Sequence, residues 1–517
     1  MEPIKLYDSY RKNLIKIEEG STVVDGKIKI YSCGPTVYQY QHVGNMRAAW
    51  LPDTFAKVAR IAGWKVDWVL NITDVGHLVG DGDDGEDKLE KSAREESKKV
   101  EEIVDFYTQD YLKQVDAIAL DIPIEKMRPK ATDHILGQMR LALQMVADRR
   151  AYILDDGIYF EAQANLDLNV PFELDKKGDN SFTGRTIENS QKAPADFALW
   201  KFVDESSLQK WKFNQFNETA QLVLKILSQP ENSHNMDLPN RWGVPGWHSE
   251  CVVMIDKLLG DGELKNDEGK SLIDVHFGGE DHIDIHHRNE ILESEALGFH
   301  LSNYWVHNKF VLVDSAKMSK SLGNVFLVVG DKNVTSFESI AGKGFDPLSY
   351  RVMLMEHHYT SQLDFTWAKL KISQARLYNL RKECSKILSF ARVNSIIVDK
   401  PINENQKQVL LEILLDNLDT PKFLGKFGDF VKDVSNEIAT KSTLNPKNLA
   451  AIKFWEDEFL KLDLLPSLDS EILVIAEQRS IAKNKGDYQK ADQLRDKILE
   501  KNIQIDDYAW GWGLWKK

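Results

Sequence analysis

Two stretches far apart in this chain carry the same order of strand, loop, helix and strand, and that repetition constrains the fold more than any other feature. In the first, residues 27–33 (KIKIYSC) alternate as a strand does, and Gly34-Pro35 breaks the run. Residues 46–62 then place Trp50, Phe55, Val58 and Ile61 at helical spacing, Gly63 suits the C-terminal cap, and residues 65–70 (KVDWVL) return as a strand. In the second, residues 272–277 (LIDVHF) form a strand, Gly278-Gly279 opens a loop, 286–297 is helical and 304–313 is the closing strand. Strand–helix–strand units of this kind predict an α/β protein with a parallel sheet, here in two halves divided by a long insertion.

The rest of the chain fits around that sheet. The insertion, 116–240, is mixed in character and includes a polar stretch at 175–189 that reads as a loop. The acidic run at 81–87 (DGDDGED) reads as a solvated loop. Beyond Ser349 the pattern turns helical, with no strong strand before Ile503, and 476–501 reads as a charged helical pair broken near Gly486. The 517 residues suffice for three or four domains. We expect boundaries at 1–115 and 241–313 for the two halves of the sheet domain, with 116–240 as the insertion. A connecting loop at 314–348, a helical bundle at 349–465 and a small terminal domain at 466–517 follow.

Composition narrows the setting. No apolar run is long enough to span a membrane, and Met1-Glu2-Pro3-Ile4-Lys5 lacks the apolar core of a secretory leader. Three cysteines, Cys33, Cys251 and Cys384, are too few for a disulfide framework in a chain of this length. These features predict a cytoplasmic protein with no membrane partner. A net charge of −14 argues against a surface coated for nonspecific nucleic-acid binding, though not against a local basic groove.

The most specific string is Lys317-Met318-Ser319-Lys320-Ser321, followed by Leu322-Gly323-Asn324. Two lysines on a Ser/Gly-rich loop after a hydrophobic strand can close on a triphosphate as mobile charges. At the first strand–helix junction stands His42-Val43-Gly44-Asn45. A helix N-terminus attracts anions, glycine admits a ligand to the backbone, and the imidazole can donate to a phosphate. Cys33, Cys251, His286 and Glu290 offer two thiols, an imidazole and a carboxylate, with the last pair four apart on one helix face, a plausible Zn²⁺ set. Each has an ordinary alternative, since a lone cysteine is most often a small buried hydrophobe and an i,i+4 His/Glu pair a surface ion pair. Cys384, in a helical stretch, is read as buried packing.

Taken together these strings resemble the class I aminoacyl-tRNA synthetases, and within them the cysteinyl-tRNA synthetases. The likeness continues through Tyr31-Ser32-Cys33-Gly34-Pro35-Thr36-Val37-Tyr38, Asn71-Ile72-Thr73-Asp74, Pro245-Gly246-Trp247-His248-Ser249-Glu250-Cys251 and His286-His287-Arg288-Asn289-Glu290, running in order from Leu6 to the C-terminus. It implies a Rossmann-type catalytic domain split by the insertion, followed by an all-helical bundle and a small C-terminal anticodon-recognition domain. It implies a monomeric ligase that joins L-cysteine to tRNA-Cys with ATP and Mg²⁺, and one zinc ion held by Cys33, Cys251, His286 and Glu290. His287 faces elsewhere in that reading, toward the nucleotide.

The remaining roles come from the same resemblance. His42, Lys317 and Lys320 stabilise developing charge; His42, Gly44, Asn45, Gly279, Asp281 and Lys320 hold ATP, with Asp281 at the ribose. Gly34, Thr73, Trp247 and His276 line the cysteine pocket. Lys483, Asp492 and Asp507 face the anticodon, where the aromatic tail Tyr508–Trp515 would stack bases or simply pack. Zinc would separate cysteine from serine, because an apolar pocket discriminates such a pair by only ~1–3 kcal/mol and a soft metal prefers sulfur.

Several positions depart from the pattern. Asn45 replaces a histidine, keeping a hydrogen-bond donor without the charge. Lys483 stands where an arginine is expected, losing a bidentate contact. Segments 206–231 and 261–270 are longer than the family pattern. The rival readings, a ligase of cysteine to an amino sugar or a decayed RNA-binding relative, are disfavoured by the long segment after Asp346 and by the intact lysine loop and ligand set.

Overall fold

The structure, a computed structural model, describes residues 1–18, 25–76, 87–172, 195–264, 271–318, 323–331, 335–396, 402–466 and 469–517. The acidic run at 81–86, the polar stretch at 175–189, residues 265–270 and Ser319–Leu322 with Lys320 lie outside them.

A four-stranded parallel sheet forms the centre, built from β1 (Lys27–Ser32), β2 (Lys65–Leu70), β3 (Ser271–Gly279) and β4 (His300–Asn308) in the order β4-β3-β1-β2. Helix α1 (Val43–Ile61) joins β1 to β2, and α3 (His286–Ala296) joins β3 to β4; α2 (Trp247–Leu259) precedes β3. Covered on both faces, β3 is buried nearly end to end, as a central parallel strand is, Asp274 and His276 included. Phe55 and Val58 on α1 are fully buried against this sheet. Truncating Phe55 to alanine would cost about 3–5 kcal/mol. The two halves meet where β1 pairs with β3, Tyr31 opposite His276, and strand order reverses there. Such a switch point leaves a crevice beyond the carboxyl ends of the strands.

The insertion carries its own antiparallel sheet of Ala151–Leu154, Gly157–Phe160, Phe197–Phe202 and Gly243–Pro245, packed on the helix Ile135–Ala147. Its last strand lies just past residue 240, so the insertion's sheet runs up to the Gly246 turn that starts α2. The helical part follows with Trp367–Val393, Glu404–Leu415, Thr420–Lys441 and Pro446–Trp455. Last come Ser470–Asn484, Tyr488–Leu499 and a hairpin of Ile503–Tyr508 with Gly511–Lys516, around a small core of Ile472, Ala476, Ile498 and Leu514.

Two local expectations change. Residues 304–313 are not one strand: β4 ends at Asn308 and a separate strand, Val311–Val313, begins after Phe310. The break has a cause, because Lys309 N donates to Tyr359 O and Phe310 N donates to the Glu280 carboxylate, which takes both amides out of the ladder. A short strand, Leu363–Phe365, pairs with Val311–Val313 inside the region expected to be helical; three residues are too few to show a period. Among the described residues no helix is long and apolar enough to cross a membrane.

Candidate active site

The crevice at the switch point is a cavity of about 460 Å³. Cys33, Gly34, Thr73, Trp247, Cys251 and His286 line one part of it, and His42, Gly44, Asn45, Gly279, Asp281 and Lys317 another. The sequence thus brings its predicted amino-acid and nucleotide residues into one space.

Its floor follows from the ends of β1 and β2. Gly34 N donates to Asn71 Oδ1 at 2.8 Å, and a Cβ on Gly34 would stand 1.7 Å from Asn71 O. Only glycine lets these two strand ends come so close. Asn71 Nδ2 donates to Thr73 Oγ1 at 3.0 Å, and Thr73 exchanges backbone bonds with Pro35 O and Val37 N. Thr73 is therefore held rigidly beside Cys33.

His42 caps α1. Its Nδ1 accepts from Gly44 N at 3.1 Å, while Asn45 Oδ1 accepts from His42 N at 3.0 Å, a reciprocal capping box. With Nδ1 accepting, a neutral ring carries its proton on Nε2 as a donor. Asn45, the departure from the family pattern, spends its carbonyl on the cap and keeps its amide N–H groups as donors. Met318 reaches the same helix end: a Cβ on Gly44 would lie 2.5 Å from Met318 Cε, so glycine leaves room for the Met318 side chain. The Lys317 ammonium stands 5.0 Å from the centre of the Phe310 ring.

Beneath the amino-acid side lies a group of convergent donors. One ligand atom each from Cys33, His286, His287 and Glu290 falls within 4.8 Å of the others. Cys251 joins them, its Sγ 3.5 Å from His286 Nε2. Glu290 is fully buried, with its oxygens 2.8 Å from His276 Nε2 and 2.9 Å from His286 Nε2. Neither contact has hydrogen-bond alignment, so both carboxylate oxygens are orphaned among the described residues. A buried carboxylate in that condition is costly unless something else satisfies it. Thiols, imidazoles and a carboxylate aimed at one point are the donor set of a zinc-type ion, and the residues fit one. His287 does not turn away from this cluster: its Nε2 is 3.3 Å from Cys33 Sγ and its Nδ1 2.7 Å from His307 Nε2. His276 lies below the cavity, fully buried, its ring stacked on Trp305.

The electrostatics match a cluster of coupled protons. Burial pushes the Glu290 carboxyl up, but His276 and His286 outweigh it and hold it well below the usual range. Burial lowers His286, yet Glu290 and Cys33 raise it to about 10. Cys33 is raised by burial and then drawn well below the ordinary thiol value by Cys251, His286 and His287. His286 is also clamped: Trp247 stacks on it at 4.2 Å, and His248 Nδ1 lies 3.0 Å from its Nδ1.

The three predicted anticodon residues sit in the C-terminal part. Asp507 accepts from Arg479, at both oxygens, and from Lys483 Nζ at 2.6 Å. Arg479, one turn before Lys483, supplies the bidentate guanidinium that the sequence reading missed at position 483. Asp492 is exposed on the helix Tyr488–Leu499, one turn from Tyr488, which is 65% exposed. The tryptophans are engaged in packing: Trp510 lies edge-on to Phe390, Trp512 lies under Arg392, and Trp515 Nε1 donates to Asp506. Tyr488 and Arg479 carried no motif signal, since neither belongs to a string with mechanistic spacing.

A two-half parallel sheet with a nucleotide cleft at its switch point, an antiparallel insertion and a helical tail is the architecture of a class I tRNA synthetase. Methionyl-tRNA synthetase from Mycobacterium tuberculosis, in complex with methionyl-adenylate, shares it at a TM-score of 0.50 and 12% identity, over 85% of this chain and 89% of that one. A family model described as the class I (C) tRNA synthetase catalytic domain matches residues 20–216 and 209–375. The cysteine–tRNA ligase of Treponema denticola is 33% identical over 97% of this chain and 98% of its own length. Those of Finegoldia magna (32%, 98% of each chain) and Chlorobaculum tepidum (30%, 100% and 99%) align similarly. The chain belongs to the cysteine–tRNA ligases of the class I aminoacyl-tRNA synthetase family.

Proposed function

We propose that this chain activates L-cysteine with ATP and transfers it to the 3′ end of tRNA-Cys, selecting the thiol through zinc. The observation that carries the reading is one cavity lined by Cys33, Cys251 and His286, with Glu290 and His287 beneath them, and by two elements that would face the nucleotide. In the first step a carboxylate oxygen of cysteine attacks the α-phosphorus of Mg²⁺-ATP, the bond to the β-phosphate bridging oxygen breaks, and pyrophosphate leaves. In the second a terminal ribose hydroxyl attacks the carbonyl, AMP departs, and the hydroxyl proton is lost. Positioning and charge stabilisation supply most of the rate.

The cap at His42 offers its Nε2–H and the Asn45 side-chain amide to phosphate beside Gly44; Lys317 and Lys320 bring positive charge, and Gly279 and Asp281 hold the adenosine. Gly34, Thr73 and Trp247 enclose the amino acid, with His276 supporting them from below. Cys33, Cys251, His286 and Glu290 would hold zinc; His287 is a fifth donor beside them. Bound zinc supplies a soft Lewis acid that prefers a thiolate to a hydroxyl. Lys483, Asp492 and Asp507 contact the anticodon, which requires the Arg479–Asp507 pair to share its carboxylate with a base.

The test is transfer of labelled cysteine to tRNA-Cys with serine as control and a chelator arm. Charging that needs cysteine and fades on metal removal supports the reading. Cysteine-dependent pyrophosphate exchange without charging redirects it to a small acceptor such as an amino sugar.

A further inference from the structure

Phe310, the residue that separates β4 from the strand Val311–Val313, is gripped from both sides of its backbone. Its N–H donates to Glu280 Oε1 at 2.6 Å, and its carbonyl accepts from Arg47 Nη1 at 3.0 Å. Glu280 lies between Gly279 and Asp281 in the turn that follows β3, and its other oxygen accepts from Lys309 Nζ at 2.6 Å. Arg47 belongs to α1, shortly after the His42 cap; it is buried and also donates to His358 O at 3.1 Å and Ser361 O at 2.6 Å. One residue thus joins the helix that caps phosphate, the turn that faces adenosine and the root of the hairpin that carries Lys317. The hairpin is short: Leu312 pairs with Lys317, and the Lys317 ammonium rests over the Phe310 ring.

We propose that Phe310 is a register pin for the nucleotide site, with Glu280 and Arg47 as positioning residues that set where the Lys317 ammonium stands relative to the ATP phosphates. The proposal rests on the reading that ATP occupies this cavity. The physical reason is direct contact. Lys317 pairs with Leu312 at the open end of the hairpin, beside Phe310, so a small shift at Phe310 moves the ammonium by a comparable distance, and a misplacement of about 1 Å at a reacting group costs up to ~100-fold in rate. Glu280 is the natural place to test it, because it acts near the surface and touches no part of the buried ligand cluster.

The experiment is a double-mutant cycle between Glu280→Ala and Lys317→Ala, read by cysteine-dependent ATP–pyrophosphate exchange. Glu280→Ala should lower kcat about tenfold with KM for cysteine unmoved. Glu280→Gln, whose amide oxygen still accepts from Phe310 N, should recover most of that loss. In the Lys317→Ala background Glu280→Ala should cost little more, since the group it positions is gone. Equal losses in the two backgrounds, a glutamine variant as poor as alanine, or a loss confined to the cysteine KM overturns the pin. If Glu280→Ala melts below the assay temperature, Glu280→Asp, too short to reach Phe310 N, replaces it in the same cycle. Absence of exchange in the unmodified protein would refute the ATP reading itself, an outcome distinct from an additive cycle on an active parent.

Discussion

The cluster under β1 and β3 and the ion group around Asp507 each set a carboxylate among nitrogen-bearing side chains, yet they are arranged in opposite ways. In the first, Glu290 lies within 2.9 Å of two imidazoles and aligns with neither, leaving both oxygens orphaned. In the second, Arg479 and Lys483 satisfy both oxygens of Asp507. Buried groups that converge on one point as unaligned ion pairs leave lone pairs that a bound ion can take up. Groups that close on one another have no such deficit, and a ligand must displace a partner to reach them. The buried cluster therefore has donor atoms left for a further partner, and the C-terminal group has to be opened.

The strongest way to break the comparison is to remove a convergent donor. Cys251→Ala should lose stoichiometric metal by elemental analysis and lower cysteine-dependent exchange by more than about a hundredfold, beyond what loss of an outer partner costs. A variant that retains full metal would show that His287 replaces the thiol, which its place 3.3 Å from Cys33 Sγ allows. Next in size is Lys317→Ala. Removing one charge from the phosphate side should lower kcat for exchange about a hundredfold while metal content stays at one per chain. A parallel fall in metal would mean the two sides of the cavity are not separable.

The contrast also explains what the sequence could reveal. Both strand–helix–strand units were legible because apolar spacing and Gly34 or Gly278-Gly279 mark them locally, and residues 65–70 form the expected strand. The ligand cluster was legible because its members fall in family strings. His287 was misjudged, since adjacent residues on a helix point about 100° apart and only the fold shows that both rings reach the thiols, His287 at Cys33 and His286 at Cys251. Arg479, Glu280 and Arg47 were invisible for another reason: each works through bonds to residues on another element, from 28 positions away for Arg479 to Asp507 to 314 for Arg47 to Ser361. The N-terminal hairpin of Ile4–Asp8 and Asn13–Ile17 escaped notice because its strands are short and partly exposed.

On the C-terminal side the expected effects are smaller. Asp507→Asn should leave exchange intact and reduce kcat/KM for tRNA-Cys charging about tenfold, the lower range for loss of one base-reading contact. Arg479→Ala should reproduce it if the guanidinium orients the carboxylate. Charging that improves in either variant would mean the ion group restrains tRNA rather than reading it.

The smallest effect is a pH dependence. Hydrogen bonding from Arg479, opposed by partial burial and aided by Lys483, holds the Asp507 carboxyl at about 2, below its ordinary 3.8. A depressed folded value means the stabilisation is fully present above the ordinary value and fades as pH falls through about 2. The side chain is 37% exposed, so solvent screening keeps the contribution below ~1 kcal/mol. Urea unfolding of the native chain and of Asp507→Asn, followed by tryptophan fluorescence, should differ by that small amount at pH 6 and converge toward pH 2–3. An equal difference at both ends would assign the effect of Asp507 to packing rather than charge, and the group would then resemble a core contact more than a closed ion set.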